Sequence, residues 1–289
     1  MRLRQRLGIE WLAAFGKWPW PRQRHAELFD QLAKEKPAAI GFDILLSEPG
    51  DAVDDANLAR AMAANRKLFL PVHFVFPGSN GAEFDVKQPI PAMADAATGL
   101  GHVNLALDRD GVVRRATLCF GDKPSGAEWP HLIEQIYRSV NGQASAAYDR
   151  LEDCEQRLLM PLSQRGGFAS ISYAALANGE VPGAFVTDKI ILIGATANGL
   201  GDQYPVPLGD GGTLAGVEIM ANLYGALARD DFVTPIPFLS QLALALLPVW
   251  ILLVGFWRWR PRTTIMVSFA LILAILLVSI TLMQFALWF

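Results

Sequence analysis

Ala38-Ala39-Ile40-Gly41-Phe42-Asp43-Ile44-Leu45-Leu46 is a nearly continuous apolar run interrupted by one carboxylate. Such a run lacks the alternation of a half-solvated strand and fits a strand covered on both faces. It follows Pro37, which closes a helical pattern over Gln23–Lys36 with Ala26, Leu28, Phe29, Leu32 and Ala33 at the apolar positions. Beyond it, Asp54–Asn65 reads as a short helix whose acidic start suits the helix dipole. Lys67–Phe76 reads as the next strand. This alternation is that of parallel strands with covering helices.

Further along, Gly101–Leu107 and Val112–Phe120 read as two strands joined by the hairpin signal Asp108-Arg109-Asp110-Gly111. Trp129–Val140 is helical in pattern, and residues 141–157 read as a polar loop. Lys189–Gly194 is a third buried strand, leading into a glycine-rich loop over 194–216 and a helix over Val217–Arg229. There is no internal repeat. The fold expected is α/β: a single domain over residues 1–235 with a mixed sheet and covering helices, followed by two transmembrane helices in residues 236–289.

Composition supports that division. The chain has 289 residues, 52% hydrophobic, with mean hydropathy +0.26 and net charge −3. Residues 236–289 carry only Arg258, Arg260 and Arg262 as charged groups. Taking these three from the 25 basic residues leaves 22 against 28 acidic ones in residues 1–235, a net of −6. An acidic globular region excludes a basic nucleic-acid binder, and the apolar content excludes disorder. Two cysteines, Cys119 and Cys154, are too few for a disulfide scaffold or a cysteine-rich zinc module. A bridge between them is allowed in an oxidising compartment but does not follow from two residues.

In the tail, Phe238–Trp257 is an uncharged run of 20 residues, and Thr263–Phe289 one of 27. At about 1.5 Å per residue each is long enough to span a bilayer core of ~30 Å. The arginines between them predict a cytoplasmic loop, with the flanking tryptophans at headgroup level. Residues 1–235 then face the periplasm or exterior, in a multi-pass inner-membrane protein. Export of such a domain needs a leader or an upstream helix. Leu3, Leu7, Trp11 and Phe15 instead follow the spacing of an amphipathic helix, so the natural chain is expected to begin further upstream.

Several segments together resemble the type-two CHASE domain, the sensory extracellular domain associated with cyclases and histidine kinases. They are Trp18-Pro19-Trp20-Pro21-Arg22, Gly41–Leu46 with Glu48-Pro49, and Asp108–Arg115. Lys189–Ala197, Gly201-Asp202 and Gly216-Val217-Glu218-Ile219 with Ala221 complete the set. The resemblance covers roughly residues 8–230, in the family's order. It implies an extracytoplasmic sensor with an upstream membrane helix. Its output module would be cytoplasmic: a nucleotide cyclase, a kinase or a diguanylate cyclase, none of which is in this chain. The chain departs from the pattern in lacking the opening strand, in Met220 where a histidine is common, and in Tyr204-Pro205 where Thr-Pro is usual. The partners implied are the lipid bilayer, a small ligand or periplasmic protein, and a second copy of the chain. No nucleic acid is among them.

Candidate site residues follow from chemistry. Asp43 stands in a buried run, where an unpaired carboxylate is costly. It either pairs with Arg22, Arg114 or Arg115, or contacts a ligand at the carboxyl edge of the sheet. The loop Gly194–Asp202 follows a strand but lacks a Gly-Lys-Ser/Thr ending, so it is not a phosphate loop. Asp202 is its polar candidate. Arg114 and Arg115 are adjacent on a strand and point to opposite faces. Glu48, Asp51, Asp54 and Asp55 lack calcium-loop spacing and read as helix capping. His25, His73, His102 and His131 show no zinc spacing, and no nucleophile motif is present. The expected ligand-binding set is Asp43, Asp202 and Arg115 with Trp20 as a wall, without catalytic residues, metal or cofactor. A membrane-tethered α/β enzyme and a structural module dimerising through its helices are the competing readings.

Overall fold

In the computed structural model the residues described are 18–76, 85–122, 127–163, 166–196, 202–208, 212–233 and 238–288. Helix α1 (Arg22–Glu35) ends at Lys36, which takes the left-handed conformation (φ 52°), and Pro37 prevents its continuation. The apolar run becomes β1 (Ala39–Asp43). Helix α2 (Ala52–Ala63) is capped by Asp51, whose carboxylate accepts from the Val53 and Asp54 N–H groups at 2.9 and 3.3 Å. There follow β2 (Leu68–Val75), β3 (Asp85–Lys87), α3 (Pro91–Ala96), β4 (Gly99–His102), β5 (Ala106–Leu107) and β6 (Val113–Thr117). Next come β7 (Cys119–Asp122), β8 (Ala127–Pro130), α4 (Leu132–Asn141), α5 (Ala146–Asp149), β9 (Arg157–Leu159) and α6 (Tyr173–Ala177). A 3₁₀ turn, β10 (Ile190–Gly194), β11 (Gln203–Pro205), β12 (Thr213–Ala215) and α7 (Gly216–Arg229) complete this unit.

The central sheet is mixed. β10, β1, β2 and β4 run parallel, and β3 joins β2 antiparallel. Side chains alternate across it. Ile40, Phe42, Leu68, Leu70 and Ile193 enter a core with Leu28, Phe29 and Leu32 of α1 and Leu58 and Met62 of α2. Ala39 and Phe69 enter a second core with Leu132, Ile133 and Ile136 of α4 and Ile219, Met220 and Leu223 of α7. Covering both faces is what makes the β1 sequence continuously apolar. Two glycines bring α4 close to the sheet. A Cβ on Gly41 would lie 2.8 Å from both Ile136 Cδ1 and Leu192 Cδ2, and one on Gly101 would lie 2.5 Å from Leu132 Cα.

Three local expectations are corrected. Gly101–Leu107 is not one strand: β4 belongs to the parallel sheet, whereas β5 forms the Asp108–Gly111 hairpin with β6. Trp129 is not helical but pairs with Phe120 in the β7–β8 hairpin; α4 starts only after His131, whose Nδ1 accepts the Ile133 N–H at 3.1 Å. Residues 141–157 are not a polar loop, because Ser145, Ala147, Tyr148, Leu151 and Cys154 are buried there. A Cys119–Cys154 disulfide (S–S 2.13 Å) ties that segment to β7. The N-terminal amphipathic pattern of Leu3, Leu7, Trp11 and Phe15 lies outside the described residues, as do residues 197–201 of the glycine-rich loop.

The chain divides into two compact units, Met1–Phe232 and Val233–Phe289. The second contains helices α8 (Phe238–Arg258), which runs through Pro248, and α9 (Pro261–Trp288). Within α9, Pro261–Thr281 is long and apolar enough to cross a bilayer. In α8 the apolar stretch is the shorter Ala245–Arg258, so of the two expected spans one meets that measure.

Candidate functional site

Parallel β1 and β10 end side by side, with Asp43 in register with Gly194. A cavity of about 540 Å³ opens at the carboxyl ends of the parallel strands, where open α/β sheets place ligands. Its polar lining is Asp43 from β1, His73 from β2, Asn104 after β4, and Asp202 and Tyr204 at β11. Apolar walls come from Trp18, Ile44, Leu45, Val103, Leu105, Leu107 and Met220. Among the described residues the lining holds no lysine or arginine.

Asp43 differs from the other acids withdrawn into the fold. Glu134, fully buried, accepts from the Ser145 hydroxyl at 2.6 Å, the Ser145 N–H at 3.1 Å and Arg138 Nε at 2.8 Å. Asp55 is held by Arg22 and by the Gly50 N–H at 3.0 Å. Among the described residues nothing donates to the Asp43 carboxyl. Burial, and then the charge of Asp202, push it up to about 7. Burial also raises Asp202, but the neighbouring Tyr204 hydroxyl and the start of α7 at Gly216, against which its carboxylate lies, offset this and favour the charged form; the Gly216 N–H itself donates to the Asp202 carbonyl at 3.2 Å. The two acids therefore titrate as an unequal pair, Asp202 ionising first and Asp43 holding its proton near neutrality.

The arginines expected to neutralise Asp43 are engaged elsewhere. Arg22 binds Asp55 and the Glu48 carbonyl. Arg114 reaches Asp108 at 3.0 Å and Asp110 at 2.8 Å, and Arg115 reaches Asp108 at 3.3 Å. The two arginines leave their strand on opposite faces, yet both side chains fold back to the hairpin turn that supplies those acids. Thus the structure brings Asp43 and Asp202 together and leaves Arg115 outside the cavity. Trp20 is also not in its lining. Its ring lies 5.3 Å from Trp18, 4.8 Å from Tyr173 and 6.2 Å from His25, behind the wall that Trp18 forms.

Sequence reasoning missed Tyr204, His73, Trp18 and Met220 as lining residues. Tyr204 and Met220 stood out only as departures from the family pattern. Asn104 is a lining residue with a structural duty, since its amide bonds both the N–H and the carbonyl of Phe74 at 2.9 and 2.7 Å. Burial lowers the His73 pKa, so its ring adds no charge at neutral pH.

Two other places offer less. A depression of about 460 Å³ beside Glu128, Arg138 and Tyr148 has its cation matched, as Arg138 pairs with Glu134 and stacks 4.1 Å from the Tyr148 ring centre. Among the described residues, the set of three or more side chains close enough to share a metal ion is Cys119, Glu128 and Cys154. The disulfide consumes both of its thiols. His102 and His131 do meet, with ring centres 4.8 Å apart, but among the described residues no third ligand joins them in a metal-sized group.

The family model described as CHASE2 domain matches residues 6–259. No curated protein and no solved structure matches the chain.

Proposed function

The chain belongs to the CHASE2 domain family of extracellular sensor domains in signalling proteins, and we propose that it is a membrane-anchored extracytoplasmic sensor whose ligand enters the Asp43–Asp202 cavity. The observation that carries this reading is the position of α7. Gly216 and Met220, in its first two turns, line the cavity, and eight residues after its end α8 begins. A ligand that repositions the start of α7 therefore has a short covalent route to the tail. It shifts the equilibrium only in so far as it binds two arrangements of α7 unequally.

Anchoring by two spans, α8 and α9, is part of the proposal. Large apolar side chains such as Phe269, Leu273, Leu276 and Ile280 are exposed on α9, as a lipid-facing helix requires. The disulfide fits an oxidising compartment and thus a periplasmic or exterior domain. The unsatisfied Asp43 favours ligand binding over a purely structural module. A tethered enzyme is less favoured, because among the described residues the cavity lining has a proton donor in Asp43 but no serine, threonine, cysteine or lysine to act as nucleophile.

The test is hydrogen exchange on the full chain in nanodiscs, comparing wild type with Met220→Trp, which fills the cavity as a ligand would. Altered protection should extend along α7 and into α8. A change confined to the cavity lining would remove the relay.

A further inference from the structure

The walls and charges of this cavity select among ligand classes. Resting on the reading of the cavity as a ligand site, we infer that it takes a small organic cation, an ammonium group attached to an apolar body. Two carboxyl groups face one space without a lysine or arginine in the described lining. Among the described residues no cation of the lining complements them, and a cationic ligand would. The Asp202 carboxylate already lies against the start of α7, where a Cβ on Gly216 would stand 2.6 Å from its Oδ1, so that helix end is not free to receive an anion. Trp18 lines the same space, and an indole ring is the aromatic surface a desolvated cation prefers. Leu45, Val103, Leu105 and Met220 supply the apolar surface for the rest of the molecule, and the volume is within the ordinary range for small-molecule sites. A bare divalent ion fits less well. Calcium takes about 6–8 oxygen ligands, and two carboxyl groups in an apolar enclosure fall short of that set.

Binding is coupled to a proton. The ammonium takes the place of the proton on Asp43: the O–H bond breaks, the proton leaves to solvent, and the ionised carboxylate receives the N–H donors of the ligand. Titratable groups facing Asp43 are Asp202 just before β11, Tyr204 from β11 and His73 from β2. Tyr204 is raised and His73 lowered, so neither gains charge as Asp43 ionises near neutrality. Affinity should therefore rise with pH until Asp43 is ionised, and then level off.

The experiment uses the full chain in nanodiscs, with phenethylammonium as probe, phenethyl alcohol as its neutral counterpart, and calcium as the metal arm. Calorimetry is run from pH 5.5 to 8.5. Phenethylammonium should bind and the alcohol should not. The affinity should rise by roughly tenfold per pH unit below about pH 7 and flatten above it, with up to one proton released per ligand. Asp43→Asn should abolish the pH dependence and weaken binding at pH 8 by about tenfold or more. Should that variant not fold, proton release by the wild type, measured in buffers of different ionisation enthalpy, decides the same point. Equal binding of alcohol and amine, tight binding of calcium alone, or no binding of the amine at pH 8 would each overturn the inference. None of these touches the sensor reading, which the exchange experiment on Met220→Trp tests without any ligand.

Discussion

Asp43 reaches the cavity from the end of β1 and Asp202 from the residue before β11, and only Asp202 has groups beside it, the Tyr204 hydroxyl and the start of α7, that favour its charged form. The two carboxyl groups are thus unequal by construction. Asp202 ionises against the Tyr204 hydroxyl and the start of α7, and its charge adds to burial in raising Asp43. An arrangement that destabilises one of its own members is a mark of a functional site rather than of a structural ion pair.

The first prediction reverses the expectation of a buried ion pair. Folded Asp43 binds its proton more tightly than the unfolded chain does, with about 7 against 3.8. Its contribution is fully present below 3.8 and is lost as pH rises to about 7. Above that the native state bears a penalty on the order of 3 kcal/mol, allowing for partial solvent contact. Asp43→Asn should therefore raise the Tm of the full chain by several degrees at pH 8 and change it little at pH 4. A lowered Tm at pH 8 would mean that Asp43 has a stabilising partner after all.

Buried histidines give the opposite pH dependence. Burial lowers His25 to about 4, helped by Arg22, and lowers His131 to about 3; burial and His131 hold His102 well below its ordinary value. These rings are neutral in the fold. Their contribution is present above the unfolded value of 6.5 and is lost as pH falls toward the folded values. For His25 alone this is on the order of 3 kcal/mol by pH 4. Urea midpoints should fall steadily from pH 7 to pH 4, and more steeply in Asp43→Asn, where the compensating carboxyl is gone. A midpoint independent of pH over this range would show that the histidines titrate normally.

What the sequence disclosed was backbone; what it withheld was partnership. The β1 run and the Lys189–Gly194 run announce their strands because both faces are covered. The Asp108–Gly111 turn announces its hairpin through local chemistry. Trp129 misled because a short hairpin strand followed at once by a helix leaves too few residues for either period to show. Residues 141–157 look polar because their anchors, Ser145 and Cys154, are satisfied by Glu134 and Cys119, across 11 and 35 residues of chain. Asp43 and Asp202 could be singled out one at a time. They were also expected in one set at the sheet edge; the geometry behind it, the parallel register that sets Asp43 beside Gly194, was not legible in the sequence. Arg115 and Trp20 were plausible by residue type, but the hairpin acids hold the first and Trp18 stands in front of the second.

Close approach of α4 to the sheet gives a graded prediction. Gly41→Ala meets the ends of two flexible side chains and should destabilise by about 1–3 kcal/mol. Gly101→Ala meets the Leu132 backbone, which cannot rotate away, and should cost more. Denaturant titration ranks the two, and the reverse order would place the rigid contact at Gly41.

The disulfide yields another. Closing a 35-residue separation restricts the unfolded chain by about 3–4 kcal/mol on the loop-entropy account. Cys119→Ser with Cys154→Ser should lower stability by an amount of that order, and reductant should do the same to the wild type while leaving the double variant unchanged. Equal response of both proteins to reductant would show that the bond is absent.

The last prediction concerns orientation. Arg258 ends α8, Arg260 lies between the two tail helices and Arg262 is in the first turn of α9, and positively charged connections remain in the cytoplasm. Residues before α8 would then lie outside, where Asp149 is exposed on the surface of the first unit. A cysteine in place of Asp149 should react with an impermeant thiol reagent in intact cells that express the full protein, whereas one in place of Arg260 should react only after the membrane is opened. Cys119 and Cys154 need not be replaced, because their thiols are joined and give no background. If position 260 is labelled in intact cells and position 149 is not, the sensor unit faces the cytoplasm. The disulfide would then sit in a reducing compartment that normally keeps thiols open. Reactivity at both positions would mean that α8 does not cross the bilayer and that α9, whose Pro261–Thr281 stretch is the longer, is the single span.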